Sequence, residues 1–272
     1  MDTNITIQTK ASAEGTAVLD KLFDIVELIS QHPDGITPAE ISEQLNLPRP
    51  TVYRLVAWLS RRGYLTAGED RRLRIGLGFL RIGSRAPVAS WIRDRGRPVL
   101  WSLANASGCA AAQIAVLDQG SATFLERTSL TNAVFKLDLR AGDTVPLYCT
   151  ALGKAMLAQM TDAEAMALLA ETELRTRTPA TVIDPLKLQE EIQSVRRQGH
   201  AAAVAEYAED VWSVAAPVPV PWTGTLYAIG VSEHMWRFSP DRLQAATRHV
   251  VAAAARLTGL LTNPENVDTQ AG

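Results

Sequence analysis

The stretch LPRPTVYRLVAWLSRRGYL, Leu47 to Leu65, carries four arginines, no acid, and two aromatics, Tyr53 and Trp58, that a buried stripe does not claim. A second arginine set follows in GEDRRLRIG, at Arg71, Arg72 and Arg74. Guanidinium groups at this density suit bidentate recognition of phosphate and of guanine edges. The competing use of the same residues is a solvated basic face. From Arg49 to Arg97 there are 12 Lys/Arg against 3 acids; from Pro98 onward there are 13 against 18. The formal net charge of −2 therefore conceals one basic segment in an otherwise acidic chain. A local basic patch of this kind is the footprint of a polyanion binder.

A second place with chemical potential is YCTALGKA. Thr150 is a good N-cap, and the N–H groups of Ala151, Leu152 and Gly153 would sit at the positive end of a helix. That arrangement cradles a carboxylate or other oxyanion, or is plain capping with water as the partner. It is not a phosphate loop: Tyr148 stands where the first glycine belongs, and Ala155 where a Ser or Thr would hold magnesium. Cys149 is a conceivable nucleophile, but a buried structural thiol is the better reading.

Catalytic and metal motifs are missing. The chain has no HExxH, no GxSxG and no Cys/His cluster, and His32, His200, His234 and His249 are scattered without ligand spacing. GLGFLR is not a dinucleotide fingerprint, because Arg81 occupies the place of the third glycine. No catalytic residue, metal or cofactor is expected.

The elements that must position the arginines are legible. TAVLDKLFDIVELISQ, Thr16 to Gln31, repeats Val18, Leu22, Ile25, Val26 and Ile29 at helical spacing, with Thr16 as a possible cap. HPDG breaks it. TPAEISEQLNL has Thr37 as N-cap, Pro38 at N1 and Glu40 at N3, a capping box. A third helix is expected from Pro50 to Arg62, stopped by Gly63. Its Val52, Leu55, Val56 and Leu59 form the buried stripe. Arg49, Pro50, Thr51, Tyr53, Arg54, Ala57 and Arg61 then fall outside it. Two short helices with an exposed basic face on the second make a helix-turn-helix. GYLTAGEDRRLRIG reads as a hairpin in which Leu73 and Ile75 pack while Arg72 and Arg74 face out. Helix-turn-helix plus basic hairpin is a winged helix. Its recognition face would enter the major groove of double-stranded DNA, with Arg71, Arg72 and Arg74 along the phosphates. Arg61 and Arg62 would touch phosphate or complement the helix C-terminus.

The second half mixes strands and helices. A connecting helix is expected from Pro87 to Asn105. CAAAQIAVLD and SATFLERT flank a turn at Gln119 and Gly120, and AVFKLDLRAGD would add a third strand. ALGKAMLAQM, AEAMALLAE and DPLKLQEEIQSVRRQG read as helices, the last with Asp184 as cap and Gly199 as stop. Strands follow at AAAVAEY, WSVAAPV and TLYAIGVS, and a last helix from Pro240 to Leu261. The fold class is α+β in two domains, the second a mostly antiparallel sheet flanked by helices. Expected boundaries are a flexible tail over 1–15, a winged helix-turn-helix over 16–84, a linker helix over 85–107, a ligand-binding domain over 108–264 and a disordered tail over 265–272.

Composition agrees with a folded chain. Its 272 residues suit two domains, with 47% hydrophobic and 21% charged residues. No apolar run reaches membrane length, and the polar N-terminus lacks the features of a signal peptide. Two cysteines imply no disulfide framework, and a reducing cytoplasm is the expected setting.

ITPAEISEQLNLPRPTVYRLVAWLSRRGYL, RAGDTVPLYCTALGKAMLA, RTPATVIDPLKLQEEIQSVRRQGHA and VAAPV together resemble the IclR family of bacterial transcriptional regulators, over about Thr16 to Leu261. The resemblance implies a winged helix, a linker helix and a GAF-like effector domain. It also implies a homodimer or dimer of dimers on a pseudo-palindromic operator, controlling catabolic genes as repressor or activator. By position it implies an effector pocket lined by Cys149, Thr150, Ala151, Leu152 and Gly153, by Ser213, and by Gly230 to Ser232. Departures from the family pattern are Asp210 where a glycine usually falls, Ser213 in place of a cysteine, and apolar Ala203 to Ala205 before Glu206. With Tyr207, Trp212 and Trp222 nearby, these favour an aromatic or larger apolar acid over a small glyoxylate-like effector. The competing classes are a metabolic enzyme with a basic appendage and a winged-helix protein–protein module.

Overall fold

The computed structural model describes residues 16–84, 87–129 and 139–262. It divides into two compact units, residues 1–87 and 88–272.

The first unit contains α1 (Ala17–Ser30), α2 (Pro38–Gln44), α3 (Arg49–Arg61), β1 (Leu65–Ala67), β2 (Leu73–Ile75) and α4 (Leu77–Gly83). The Thr37 capping box forms: Glu40 N–H donates to Thr37 Oγ1 at 3.2 Å, and Thr37 N–H donates to Glu40 Oε2 at 2.7 Å. Asn46 between α2 and α3 adopts φ +50°, a left-handed turn that asparagine tolerates. Gly63, at φ +74°, ends α3 as its position suggests. Ile25, Ile29, Ile36, Ile41, Val52, Leu55, Val56, Leu59, Leu65 and Leu73 make the core. The expected α1 stripe is narrower than its spacing implies: Val18, in the first turn, remains 43% exposed. Thr16 occupies the N-cap position without a side-chain capping bond. The hairpin pairs Leu65 with Ile75, Thr66 with Arg74 and Ala67 with Leu73. Leu73 is buried, whereas Ile75 stays 38% exposed, so one side chain rather than two packs inward.

The second unit begins with α5 (Pro87–Ser107) and contains β3 (Ala111–Asp118), β4 (Ser121–Ser129), β5 (Thr144–Pro146), α6 (Ala151–Leu157), α7 (Asp162–Ala170), α8 (Pro185–Gln198), β6 (Ala201–Val204), β7 (Val211–Val218), β8 (Tyr227–His234) and α9 (Pro240–Thr262). The strands form one antiparallel sheet in the order β5-β4-β3-β8-β7-β6. Gln119 and Gly120 turn the β3–β4 hairpin with φ +44° and +77°. Paired positive φ matches the strand twist in a two-residue loop. Residues 133–138 of the expected third strand lie outside the described residues, and the strand β5 comes after them, at Thr144.

Strand alternation sends successive side chains to opposite faces. One face, with Ile114, Trp212, Ile229 and Val231, packs against Leu100 of α5 and Leu257 of α9. The other, with Ala115, Phe124, Ala215 and Ala228, packs against Leu152 and Met156 of α6 and Ile192 of α8. The helix read from sequence as a linker therefore supplies Ile92, Val99, Leu100 and Leu103 to this unit's core. No helix among the described residues is long and apolar enough to cross a membrane.

Candidate functional site

The outer face of α3 follows from the burial of its inner one. With Val52, Leu55, Val56 and Leu59 in the core, Pro50, Tyr53, Arg54, Ala57, Trp58 and Arg61 are exposed, and Thr51 is half-buried. Among the described residues Arg49, Arg54 and Arg61 have no hydrogen-bond or ion-pair partner, so their guanidinium groups are available to an anionic ligand. Arg62 instead lies over the Trp58 ring, 4.5 Å from its centroid.

The wing departs from its expected form. Arg72 Nη1 donates to Gly35 O at 2.9 Å, and its Nη2 lies 3.5 Å from Glu40. Arg74 Nη2 donates to Asp34 O and to Asp70 Oδ2, both at 2.7 Å. The Arg74 guanidinium, by hydrogen bond, helps hold the Asp70 carboxyl down to about 2. Two of the three wing arginines thus tie the hairpin to the HPDG turn rather than lining an outer rim. The cause is nonlocal: Ile36 and Leu73 exchange backbone hydrogen bonds, which brings the Asp34 and Gly35 carbonyls beside β2. Carbonyls placed there need donors. Arg71, exposed at φ +58°, is the wing arginine without a partner among the described residues.

In the second unit one cavity, with about 500 Å³ of space including its open mouth, lies on the α6–α8 side of the sheet. Of the residues expected from sequence, Thr150, Ala151, Leu152, Ser213, Val231 and Ser232 line it, as does Tyr207. Four others do not. Trp212 is fully buried on the opposite face of β7, edge-on to Phe238 at 6.0 Å. If Ser213 faces the cavity, its neighbour cannot. Cys149 is fully buried in the core, where desolvation pushes its thiol up to about 11. Gly153 is pressed onto Leu147, whose Cα would lie 2.2 Å from an added Cβ. Gly230 sits between Gln113 and Ala215 in the ladder, and an added Cβ would meet Val214 O at 2.5 Å. The side chain of Trp222 lies outside the described residues.

Thr150 caps α6 as expected: its Oγ1 accepts from Gly153 N at 3.2 Å and donates to Pro146 O at 2.6 Å. The hydroxyl is thereby committed to the helix. Sequence reasoning missed Gln113, Phe124, Arg127, Leu139 and Val145, all of which line the cavity. A signal existed for Gln113, a lone polar residue inside the apolar run CAAAQIAVLD. Arg127 offered none, because β4 alone does not reveal which of its faces is enclosed. Arg127 is the cationic residue among those lining the cavity, and its Nη1 donates to Ser129 Oγ at 2.9 Å.

Lys154, on α6, is 3% exposed. It donates to both carboxylate oxygens of Glu206, at 2.6 and 2.7 Å, and lies 2.9 Å from Glu191. Burial raises the Glu206 pKa, and the Lys154 charge opposes that rise. This pair anchors the segment after β6 that carries Tyr207. Among the described residues no group of three or more His, Cys, Asp or Glu could hold a metal ion.

Comparison with known proteins gives matches along both units. The IclR helix-turn-helix domain matches residues 18–68, and the C-terminal domain of bacterial IclR transcriptional regulators matches residues 88–258. The Pca regulon regulatory protein of Pseudomonas putida is 27% identical over 232 residues, covering 85% of this chain and 79% of its own. The transcriptional repressor IclR of Escherichia coli is 26% identical over 259 residues, covering 91% and 92%. The crystal structure of an IclR homologue from Microbacterium hydrocarbonoxydans, complexed with 4-hydroxybenzoate, superposes with a TM-score of 0.78. It is 22% identical and covers 90% of this chain and 99% of its own. A helix-turn-helix with an available basic face, followed by a cavity-bearing α+β unit, is thus matched by family in both parts and in order. The chain belongs to the IclR family of DNA-binding transcriptional regulators, with a C-terminal effector domain, and not to a family of enzymes.

Proposed function

We propose that the effector of this regulator is an organic acid with an apolar, aromatic body, and that its binding alters occupancy of a pseudo-palindromic operator controlling catabolic genes. The observation that carries this reading is Arg127 in a cavity whose apolar wall includes Phe124, Leu139, Val145 and Leu152, beside the polar Gln113, Ser213 and Ser232. A guanidinium in apolar surroundings binds a carboxylate more strongly than it would in water. The 4-hydroxybenzoate held by the Microbacterium homologue supports the same class of ligand. Exposed Leu77, Leu80 and Ile82 on α4, with Val18, Leu19 and Phe23 on α1, support a homodimer or dimer of dimers, since a second copy would cover them. The acid can act on transcription only through different affinities for the protein's two states.

Two measurements test this. Thermal shift with benzoate and aliphatic acids should show stabilisation of the wild type that Arg127→Gln abolishes. Operator binding across a salt series should be salt-dependent, with a shallower slope in Arg54→Ala and Arg71→Ala by about one counterion each. An affinity for DNA that ignores salt and both variants would refute the assigned interface. Failure of any acid to shift the melting temperature would refute the effector class.

A further inference from the structure

Gln113 lies mid-strand in β3 and is 5% exposed. Its Oε1 is buried and has no hydrogen-bond partner among the described residues. Its cross-strand neighbours explain why. On β8 it faces Gly230, which has no side chain to offer, and on β4 it faces Arg127, whose Nη1 is turned to Ser129. Buried carbonyl oxygens are ordinarily paired, and an unpaired one costs free energy that an arriving donor restores. Gln113 and Arg127 line the same cavity. As register partners their Cβ atoms are about 5 Å apart.

Resting on the acid reading above, we infer that Gln113 is the specificity-determining residue of the cavity, selecting acids that carry a hydroxyl next to the carboxylate. The carboxylate accepts from Arg127 while the adjacent hydroxyl donates to Gln113 Oε1. A ligand without that hydroxyl leaves the amide unpaired beneath it. Register partners on adjacent strands suit a hydroxyl and a carboxylate that are themselves adjacent on the ligand. The shared chemistry is a vicinal hydroxy acid, either an ortho-hydroxybenzoate or a 2-hydroxy acid with an aromatic substituent.

The test is calorimetric titration of the full chain with benzoate, 2-hydroxybenzoate and 4-hydroxybenzoate, and with phenylacetate and 2-hydroxy-2-phenylacetate. Wild type should favour the ortho-hydroxylated or 2-hydroxylated member of one series by roughly tenfold over its unhydroxylated parent. The preferred series identifies the source of the acid. Gln113→Leu, with Gln113→Met as a second apolar variant, should bring that ratio near one while changing affinity for the parent acid by less than about twofold. Neither variant should lower the unfolding midpoint, since a merely structural glutamine would. Equal binding of hydroxylated and parent acids by wild type, or discrimination that survives in the variants, overturns this inference. Binding of benzoate that Arg127→Gln removes would leave the acid reading standing in that case. No binding of any of the five overturns both.

Discussion

Lys154 and Glu206, 52 residues apart in sequence, meet as a buried ion pair with both carboxylate oxygens within 2.7 Å of Nζ. Neither charge has bulk water as a fallback. Glu191, 2.9 Å from Nζ, would still face the lysine if Glu206 were lost, but removing Lys154 strands the buried Glu206 carboxylate, a loss of about 3–5 kcal/mol, whereas replacing both with apolar residues is often neutral. Lys154→Met should therefore destabilise the chain by roughly that much in urea unfolding, and Lys154→Met with Glu206→Leu should recover most of it. Additive losses in the double variant would show that the pair is not energetically coupled.

Trp212 and Ser213 are adjacent on β7 but serve different faces. Trp212→Ala empties a site in the core beside Phe238 and should cost about 3–5 kcal/mol. Ser213→Ala should change stability by less than about 0.5 kcal/mol and act on ligand affinity instead. Calorimetry and denaturant melts on both variants separate these effects, and the reverse pattern would contradict the register of β7.

Asp162 accepts hydrogen bonds from Arg196, Gln193 and Gln189, which lower its carboxyl from an ordinary 3.8 to about 2. A lowered folded-state pKa adds stability that is complete above the unfolded value and disappears as pH falls through the folded one. Wild type should thus exceed Asp162→Asn in unfolding free energy above pH 4, and the two should converge as pH drops toward 2. A gap that persists unchanged at pH 2 would assign the effect to helix capping rather than to charge.

The Cys149 thiol is fully buried and raised to about 11, so at pH 8 it is neutral and shielded. Iodoacetamide should leave it unmodified in the native chain and alkylate it readily in denaturant, as read by mass spectrometry. Rapid native labelling would place the thiol in the cavity after all.

The sequence by itself determined whatever depends on neighbours three or four residues apart. The Thr37–Glu40 capping box, the Thr150 and Asp184 caps, the Gly63 and Gly199 stops and the Gln119–Gly120 turn all appear where local chemistry demands them. So does the division of α3 into a buried stripe and a basic face, because helical periodicity alone sets it. Tertiary structure decided which partners lie across space. It turned Arg72 and Arg74 toward the Gly35 and Asp34 carbonyls, because the Ile36–Leu73 bridge carries those groups to β2. It put Gln113 and Arg127 side by side in one cavity, which a strand read alone cannot reveal, since register is set between strands. It sent Trp212 to the α5–α9 side, where the apolar helices could bury it, and left Ser213 to the cavity. Local propensities act along the chain, whereas enclosure of a face requires elements far apart in sequence to pack over it.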